Sequence, residues 1–382
     1  MKRSIVDILS CELSTRSHKL WAEIDLGALV GNYKRICELS GTDVIPVIKA
    51  DAYGHGAAEA MLALVEAGAR FFAVSSVAEA IELRLALDDK KISDKIDIII
   101  LGYTPEDDAD LLSKYDIIQT VFSLPYAQSL SRALTGDAKL RVHIKLDTGM
   151  NRIGFDTAGV SDIALAASLD NLVCEGIFTH FACADEHDSG LTSLQLGRFE
   201  KTVKELEDKG ITFKVRHICN SAGIMREDVS KYDAVRAGII LYGMPPSDEF
   251  DMTGFETVMS LKARIAHVHT LKKGESVSYG ATFTAEKDMQ IATIPAGYGD
   301  GFIRAYKEST VRVNDRECPI VGRICMDQFM IDVTDADAHP GDVAVLFDDR
   351  DKINKLAKLS NTISYETLCL IGKRVPRVYI KK

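Results

Sequence analysis

From Val44 to Gly243 the chain repeats one pattern, a short apolar run followed by an amphipathic stretch. The runs are VIPVIKA (44–50), FFAVSS (71–76), IDIIILG (96–102), IIQTVF (117–122), LRVHIKLD (140–147), LVCEGIFTHF (172–181), KVRHICN (214–220) and AVRAGIILYG (234–243). Each is dominated by β-branched or other apolar residues and is short enough for a strand buried on both faces. Helix-like stretches such as 57–69 and 191–210 lie between most of them, the second ending on Gly210, a suitable C-cap. Eight strand–helix repeats over about 200 residues describe a (β/α)8 barrel of the TIM type. A doubly wound open sheet is the runner-up. The strand number and the lack of a G-x-G-x-x-G turn favour the barrel.

After Phe250 the texture changes. Segments 258–274, 290–301, 309–315, 329–335 and 342–348 alternate apolar and polar residues with turn signals between them, which predicts a mostly antiparallel β domain. The fold class expected is therefore α/β, a (β/α)8 barrel followed by that domain. Residues 1–20 are read as an N-terminal extension, and 21–26 as a strand joining the C-terminal domain. The barrel is assigned 27–248 and the β domain 249–382.

Hydrophobic residues make up 46% and charged residues 27% of 382, enough for two sizeable cores. The net charge of −10 is diffuse, whereas nucleic acid calls for a concentrated basic surface. The first ten residues hold too few consecutive apolar side chains for a secretory signal. No stretch approaches the roughly 18 apolar residues that span a bilayer. A cytoplasmic protein with neither membrane nor nucleic-acid partner is expected. The eight cysteines are scattered with no C-x-x-C pair, as for thiols in a reducing compartment. No metal site is expected: His267 and His269 lack further ligands, and Asp185, Glu186, His187 and Asp188 read as a solvated loop.

In such barrels the C-terminal strand ends converge on one mouth, where catalytic groups gather. Those ends hold Lys49, with Tyr53, Gly54 and His55 close behind; Lys145, Asp147 and then Arg152; His180; Asn220 and Ser221; and Arg236, Gly238 and Tyr242. Cations in apolar strand ends are costly unless paired or functional. Burial of Lys49 would favour a neutral, nucleophilic amine able to capture a carbonyl cofactor. A snorkelling strand-end lysine is the plainer reading. Asn220–Gly223 opens a helix with small residues, which suits a phosphate or is an ordinary N-cap. For Tyr279, the sequence pattern alone says no more than a strand aromatic.

VIKADAYGHG (47–56), KLDTGMNRIGF (145–155), THFACAD (179–185), HICNSAG (217–223), VRAGIILYG (235–243), VSYGATF (277–283), GYGDGF (297–302), GRICMDQ (322–328) and NTISYE (361–366) follow in order. Together they resemble the alanine racemase family of pyridoxal-phosphate-dependent, barrel-type amino-acid racemases, from about Trp21 to the C-terminus. The resemblance implies a barrel followed by a β domain, and a homodimer whose subunits share active sites. It implies interconversion of L- and D-alanine by two bases, supplying D-alanine for peptidoglycan; a catabolic role is equally compatible with the site. Lys49 would hold the cofactor's aldehyde and act as one base; Tyr279 of the partner subunit would be the other. His180 and Arg236 would support that tyrosine, with Arg236 at the pyridine nitrogen. Tyr53, Ser221, Gly238, Ile239 and Tyr365 would hold the phosphate. Arg152 and the Met326 backbone amide of the partner subunit would receive the substrate carboxylate. Lys145 matches a position often carbamylated, which would fix Arg152. Asp327, Tyr298, Arg323 and Ile363 match positions at the site entrance.

Two bases on opposite faces suit racemisation, because each face of a planar carbanion needs its own proton source. A serine or broader-specificity racemase of the same family is the alternative, since one hydroxyl is hard to reject in an apolar pocket. The bulk of Tyr365 favours alanine. A decarboxylase on the same plan would need a pocket for a long side chain, which VSYGAT and RICMDQ do not suit. A cofactor-binding protein of the lone-barrel type would lack everything after Phe250.

Overall fold

The computed structural model describes residues 18–186, 190–227, 229 and 231–381. Most of the N-terminal extension, together with His187 and Asp188 of the charged loop, lies outside the described residues. The chain divides into two compact units. One comprises Leu29–Ala52 and Ala57–Phe255; the other takes the chain up to Ala28, Tyr53–Gly56 and the residues from Glu256 onward.

The first unit is the barrel. Its strands are β2 (Asp43–Pro46), β3 (Phe71–Val74), β4 (Asp97–Ile100), β5 (Ile118–Val121), β6 (Leu140–Asp147), β7 (Leu172–Phe178), β8 (Val215–His217) and β9 (Ala234–Ala237), preceded in the chain by β1 (Leu20–Asp25). They pair in parallel in the order β2-β9-β8-β7-β6-β5-β4-β3. A single bridge between Val47 and Ala73 brings the two ends together, so the sheet is a nearly closed barrel and not an open doubly wound one. Its strands are covered on both faces, with fully buried β-branched residues, among them Ile45, Ile98, Ile99, Ile100, Val121, Ile177 and Val235.

Local chemistry sets the helix starts. Ser76 accepts from the Glu79 amide and opens the helix Val77–Asp89; Ser123 accepts from the Tyr126 amide and opens Leu124–Ala133. The helix Leu191–Glu207 ends sooner than Gly210 suggested; Gly210, with φ +81°, donates to the Glu207 carbonyl and closes the last turn. Two strands are shorter than their apolar runs. The first stops at Pro46, three residues before Lys49, and the last stops at Ala237, where Gly238 (φ −102°, ψ −107°) leaves the β region for a short turn, Ile239–Tyr242.

The second unit is built on a mostly antiparallel sheet. Its further strands are β10 (Met259–Arg264), β11 (His267–Leu271), β12 (Met289–Ile294), β13 (Thr310–Val313), β14 (Arg316–Val321), β15 (Phe329–Asp332), β16 (Val343–Phe347) and β17 (Arg377–Ile380). The order is β11-β12-β15-β14-β13-β16-β10-β1-β17, so β1 lies between β10 and β17. Tyr53–Gly56 packs within this unit. Gly54 and Gly56 have φ of +83° and +93°, and a Cβ on Gly56 would stand 1.9 Å from the Tyr379 hydroxyl. The Arg377 guanidinium donates to the Gly54 carbonyl at 2.9 Å. Among the described residues no helix is long and apolar enough to cross a membrane, and no group of His, Cys, Asp or Glu is arranged to hold a metal ion.

Candidate active site

Lys49 opens a left-handed turn. Ala50, Asp51 and Ala52 have φ of 52–54° and ψ of 47–49°, and Tyr53 has φ 53°. These are the dihedrals of a left-handed helix. L-residues visit that region singly, at about 1–2 kcal/mol each, so four in succession cost about 4–8 kcal/mol that the surroundings must offset. The Ala52 amide donates to the Ile48 carbonyl at 2.9 Å, one turn back. The Asp51 carboxylate accepts from the Ala57 amide at 2.8 Å and so caps the next helix. Lys49 itself is half-buried.

The centre of the barrel mouth is cationic. Arg236 is 2% exposed and has no carboxylate among its hydrogen-bond partners. It donates to the carbonyls of His217, Thr179 and Ile218, to His217 Nδ1 at 2.9 Å and to His180 Nδ1 at 3.2 Å. Burial lowers its pKa to about 10, which leaves it charged at neutral pH. Burial, and then the charges of Arg236, Arg152, Lys145 and Lys49, hold His180 well below the usual histidine range. Those four cations therefore converge on one ring. Lys145 is 3% exposed and donates to the Leu146 carbonyl. Burial and then Arg236 push its ammonium down to about 7. Asp147, the nearest acid in sequence, spends its carboxylate on the amides of Gly149 and Asn151.

Sequence reasoning missed two histidines here. His217 receives Arg236 on one nitrogen, and its other nitrogen lies 2.9 Å from His143 Nδ1. Both rings are fully buried in the barrel. A Cβ on Gly176 would stand 2.5 Å from the His143 ring, so that glycine makes its room. The signal was available: each histidine interrupts an apolar strand run, as Lys145 does.

Beside this chain lie the small residues. Asn220 caps the helix Ser221–Arg226 by accepting from the Gly223 amide. Ser221 Oγ accepts from the Gly238 amide at 3.0 Å, and Ser221, Gly238 and Ile239 are all buried. The hydroxyl and the Gly238 backbone are thus brought together, with Ile239 following.

The remaining expected residues belong to the second unit. The rings of Tyr53 and Tyr365 lie 6.1 Å apart. Tyr279 is 74% exposed, Ile363 59%, Met326 53% and Tyr298 41%. Tyr279 sits in a hairpin between Ser276–Val277 and Phe283–Thr284, whose Val277 and Phe283 pack on Leu271, Met289, Ile291 and Val321. Ser278 has φ 71° and ψ 173°, a region otherwise left to glycine, and its hydroxyl donates to the Arg323 carbonyl. Arg374, absent from the sequence reading, donates to Asp300 and to Asp327, each at 2.6 Å. His267 and His269 stack on each other, 5.2 Å apart.

Family models for the alanine racemase N-terminal and C-terminal domains match residues 24–246 and 258–379. The chain belongs to the alanine racemase family. Alanine racemase 1 of Clostridium acetobutylicum is 44% identical over 374 residues, 95% of each chain. The solved alanine racemase of Clostridium difficile is 38% identical, with a TM-score of 0.89 over 96% of each chain. That of Bartonella henselae, described with covalently bound pyridoxal phosphate, is 30% identical with a TM-score of 0.84, covering 95% of this chain and all of that one.

Proposed function

We propose that this chain interconverts L- and D-alanine with pyridoxal 5′-phosphate held at Lys49. The observation that carries the reading is the set of four cations whose charges act on His180, with Lys49 opening a strained turn. Such a site suits a ligand bearing a phosphate and a carboxylate. The donor chemistry fits the cofactor: an amine for its aldehyde, a hydroxyl and backbone groups at Ser221, Gly238 and Ile239 for its phosphate, and Arg236 for its ring nitrogen. When bound, the cofactor supplies an aldehyde for the substrate amine and a conjugated ring that spreads the electron pair of the α-carbon.

The protein residues do the rest. The Lys49 amine exchanges the α-proton on one face of the substrate. On the other face the base is Tyr279 of a second copy of the chain, whose 74% exposure in a single copy supports a dimer. Because Arg236 donates to His180 Nδ1, the proton of that neutral ring sits on Nε2. That N–H is a donor for the Tyr279 oxygen and stabilises its charge when the proton leaves. Arg152 and the Met326 amide of the partner subunit receive the substrate carboxylate. Near neutral pH Lys145 is partly uncharged, and its nitrogen can add carbon dioxide, releasing a proton and leaving a carbamate anion to hold Arg152. Arginine keeps its proton, so Arg236 leaves the ring nitrogen an acceptor and weakens transamination. The activity suits a supply of D-alanine for peptidoglycan, and equally its catabolism.

Borohydride treatment with the cofactor present should leave a pyridoxyl adduct on Lys49. Enantiomer interconversion, assayed with alanine and serine side by side, should favour alanine. Mixing Lys49→Ala with Tyr279→Ala should restore activity in hybrid dimers. Absence of the adduct overturns the reading; absence of recovery, with subunit exchange verified, overturns the shared site.

A further inference from the structure

The segment Ser76-Val77-Ala78-Glu79 has the spacing of a capping box, S-x-x-E. In that motif the glutamate at the third helical position reaches back to the amide of the N-cap residue. Ser76 plays its part, accepting from the Glu79 amide at 3.3 Å. Glu79 does not. One carboxylate oxygen accepts from the amide and the hydroxyl of Ser75, at 2.8 and 3.0 Å. The other accepts from the Ala50 amide, beyond the neighbouring strand end, at 2.6 Å.

Ala50 is the residue after Lys49 and the first of the four left-handed ones. Its amide direction sets where the turn begins and so where the Lys49 Cα stands. An amide oriented by left-handed dihedrals points away from the carbonyls that a right-handed continuation would offer it, and a charged acceptor placed there selects one hand over the other. The same carboxylate ties that turn to Ser75, just past the end of β3, and β3 is the strand whose Ala73 carbonyl receives the Ile48 amide at 2.9 Å. Two links to the end of β3, one direct to Ala73 and one through Glu79 to Ser75, thus bracket Lys49 on its N-terminal and C-terminal sides.

We propose that Glu79 is a positioning residue for Lys49: its carboxylate clamps the Ala50 amide to the end of β3 and holds the left-handed turn that presents the amine. This rests on Lys49 being the cofactor-bearing lysine. A charged hydrogen bond to a backbone amide is among the stronger ones, so its removal should be visible in turnover while the barrel stays folded.

The test joins Glu79→Ala, Glu79→Gln and Ala50→Gly. Glycine enters the left-handed region without strain, so it removes the need for the clamp. Glu79→Ala should lower kcat about ten-fold or more with a smaller change in KM. Ala50→Gly added to it should bring kcat back to within about three-fold of the parent. Glu79→Gln, which keeps an acceptor for one end only, should lose less, and guards against the alanine variant failing to fold. In the cofactor-free protein, hydrogen exchange of the peptide covering residues 47–53 should quicken by about ten-fold in Glu79→Ala. Unchanged kcat in both Glu79 variants, a loss that Ala50→Gly leaves untouched, or unchanged exchange overturns the clamp. The borohydride adduct on Lys49 of the parent separates the cases: without it the cofactor assignment itself fails, and with it only the role of Glu79 is at stake.

Discussion

His143 Nδ1 lies 2.9 Å from His217 Nε2, and only one placement of protons satisfies the pair. Arg236 offers nothing but donors, so His217 must accept from it on Nδ1 and remain neutral. Its single proton is then on Nε2 and is donated to His143, which must accept on Nδ1. Burial holds His143 down to about 3 and His217 well below its ordinary range, consistent with two neutral rings. His143→Asn keeps an acceptor near the Nδ1 position and should retain most of kcat. His143→Leu strands a buried N–H and should cost about 1–3 kcal/mol, seen as a larger fall in kcat and a shifted pH profile. Equal kcat and pH profiles for the two variants would remove the chain from consideration.

Acid should unfold the cofactor-free protein early. Histidines 143, 180 and 217 have folded-state pKa values below the unfolded value. The unfolded chain therefore binds more protons below pH of about 6.5. The stability these groups allow is complete above that pH and is lost as pH falls towards about 3, where His143 titrates in the fold. Three such protons give a slope of up to about 4 kcal/mol per pH unit. Lys145 acts at higher pH with the same sign: its folded value of about 7 lies below its ordinary 10.5, so stability rises with pH between the two. Lys145→Met should accordingly stabilise the protein at pH 6 and lose that advantage by about pH 10–11. Urea midpoints from pH 4 to 11 in bicarbonate-free buffer test both; a flat curve between pH 6.5 and 5 contradicts the first.

The backbone beside Tyr279 invites a paired comparison. Ser278 carries both a strained conformation and the bond to the Arg323 carbonyl, while Gly322 leaves space for it: a Cβ there would be 2.6 Å from the Ser278 Cβ. Ser278→Ala keeps the strain and loses the bond; Ser278→Gly loses both. The alanine variant should therefore be the slower, by about three-fold or more, at about 1 kcal/mol of retained strain. A slower glycine variant would mean that strain is not what positions the turn.

Gly56→Ala should destabilise by at least about 2 kcal/mol, because the φ of +93° and the Tyr379 hydroxyl both oppose a Cβ. Adding Tyr379→Phe removes the hydroxyl and should recover part of the loss in urea unfolding. No recovery would assign the whole cost to the backbone.

The barrel was legible because parallel strands buried on two faces leave continuous apolar runs, such as residues 96–102 and 117–122, that local sequence cannot disguise. Lys49, Lys145 and Arg236 stood out for the same reason, as charges in apolar runs; Lys145 and Arg236 are buried and Lys49 is half-buried. The bounds of β2 and β9 were not legible: Pro46 and Gly238 end them inside runs that stay apolar, because those runs continue into buried turns. Glu79 could not be read at all, since an S-x-x-E spacing looks the same whether the carboxylate turns back or reaches across to Ala50. Nor could Ser278, whose strain exists only because a hairpin rooted on Leu271 and Met289 imposes it.

The turn after Lys49 has one more consequence. With φ near +54° and ψ near +48°, Ala50 and Ala52 trace the mirror image of an ordinary helical turn. D-residues are the enantiomers at home in that geometry. A semisynthetic chain with D-alanine at positions 50 and 52 should fold more stably than the natural one, a preference that the rest of this all-L polypeptide would reverse.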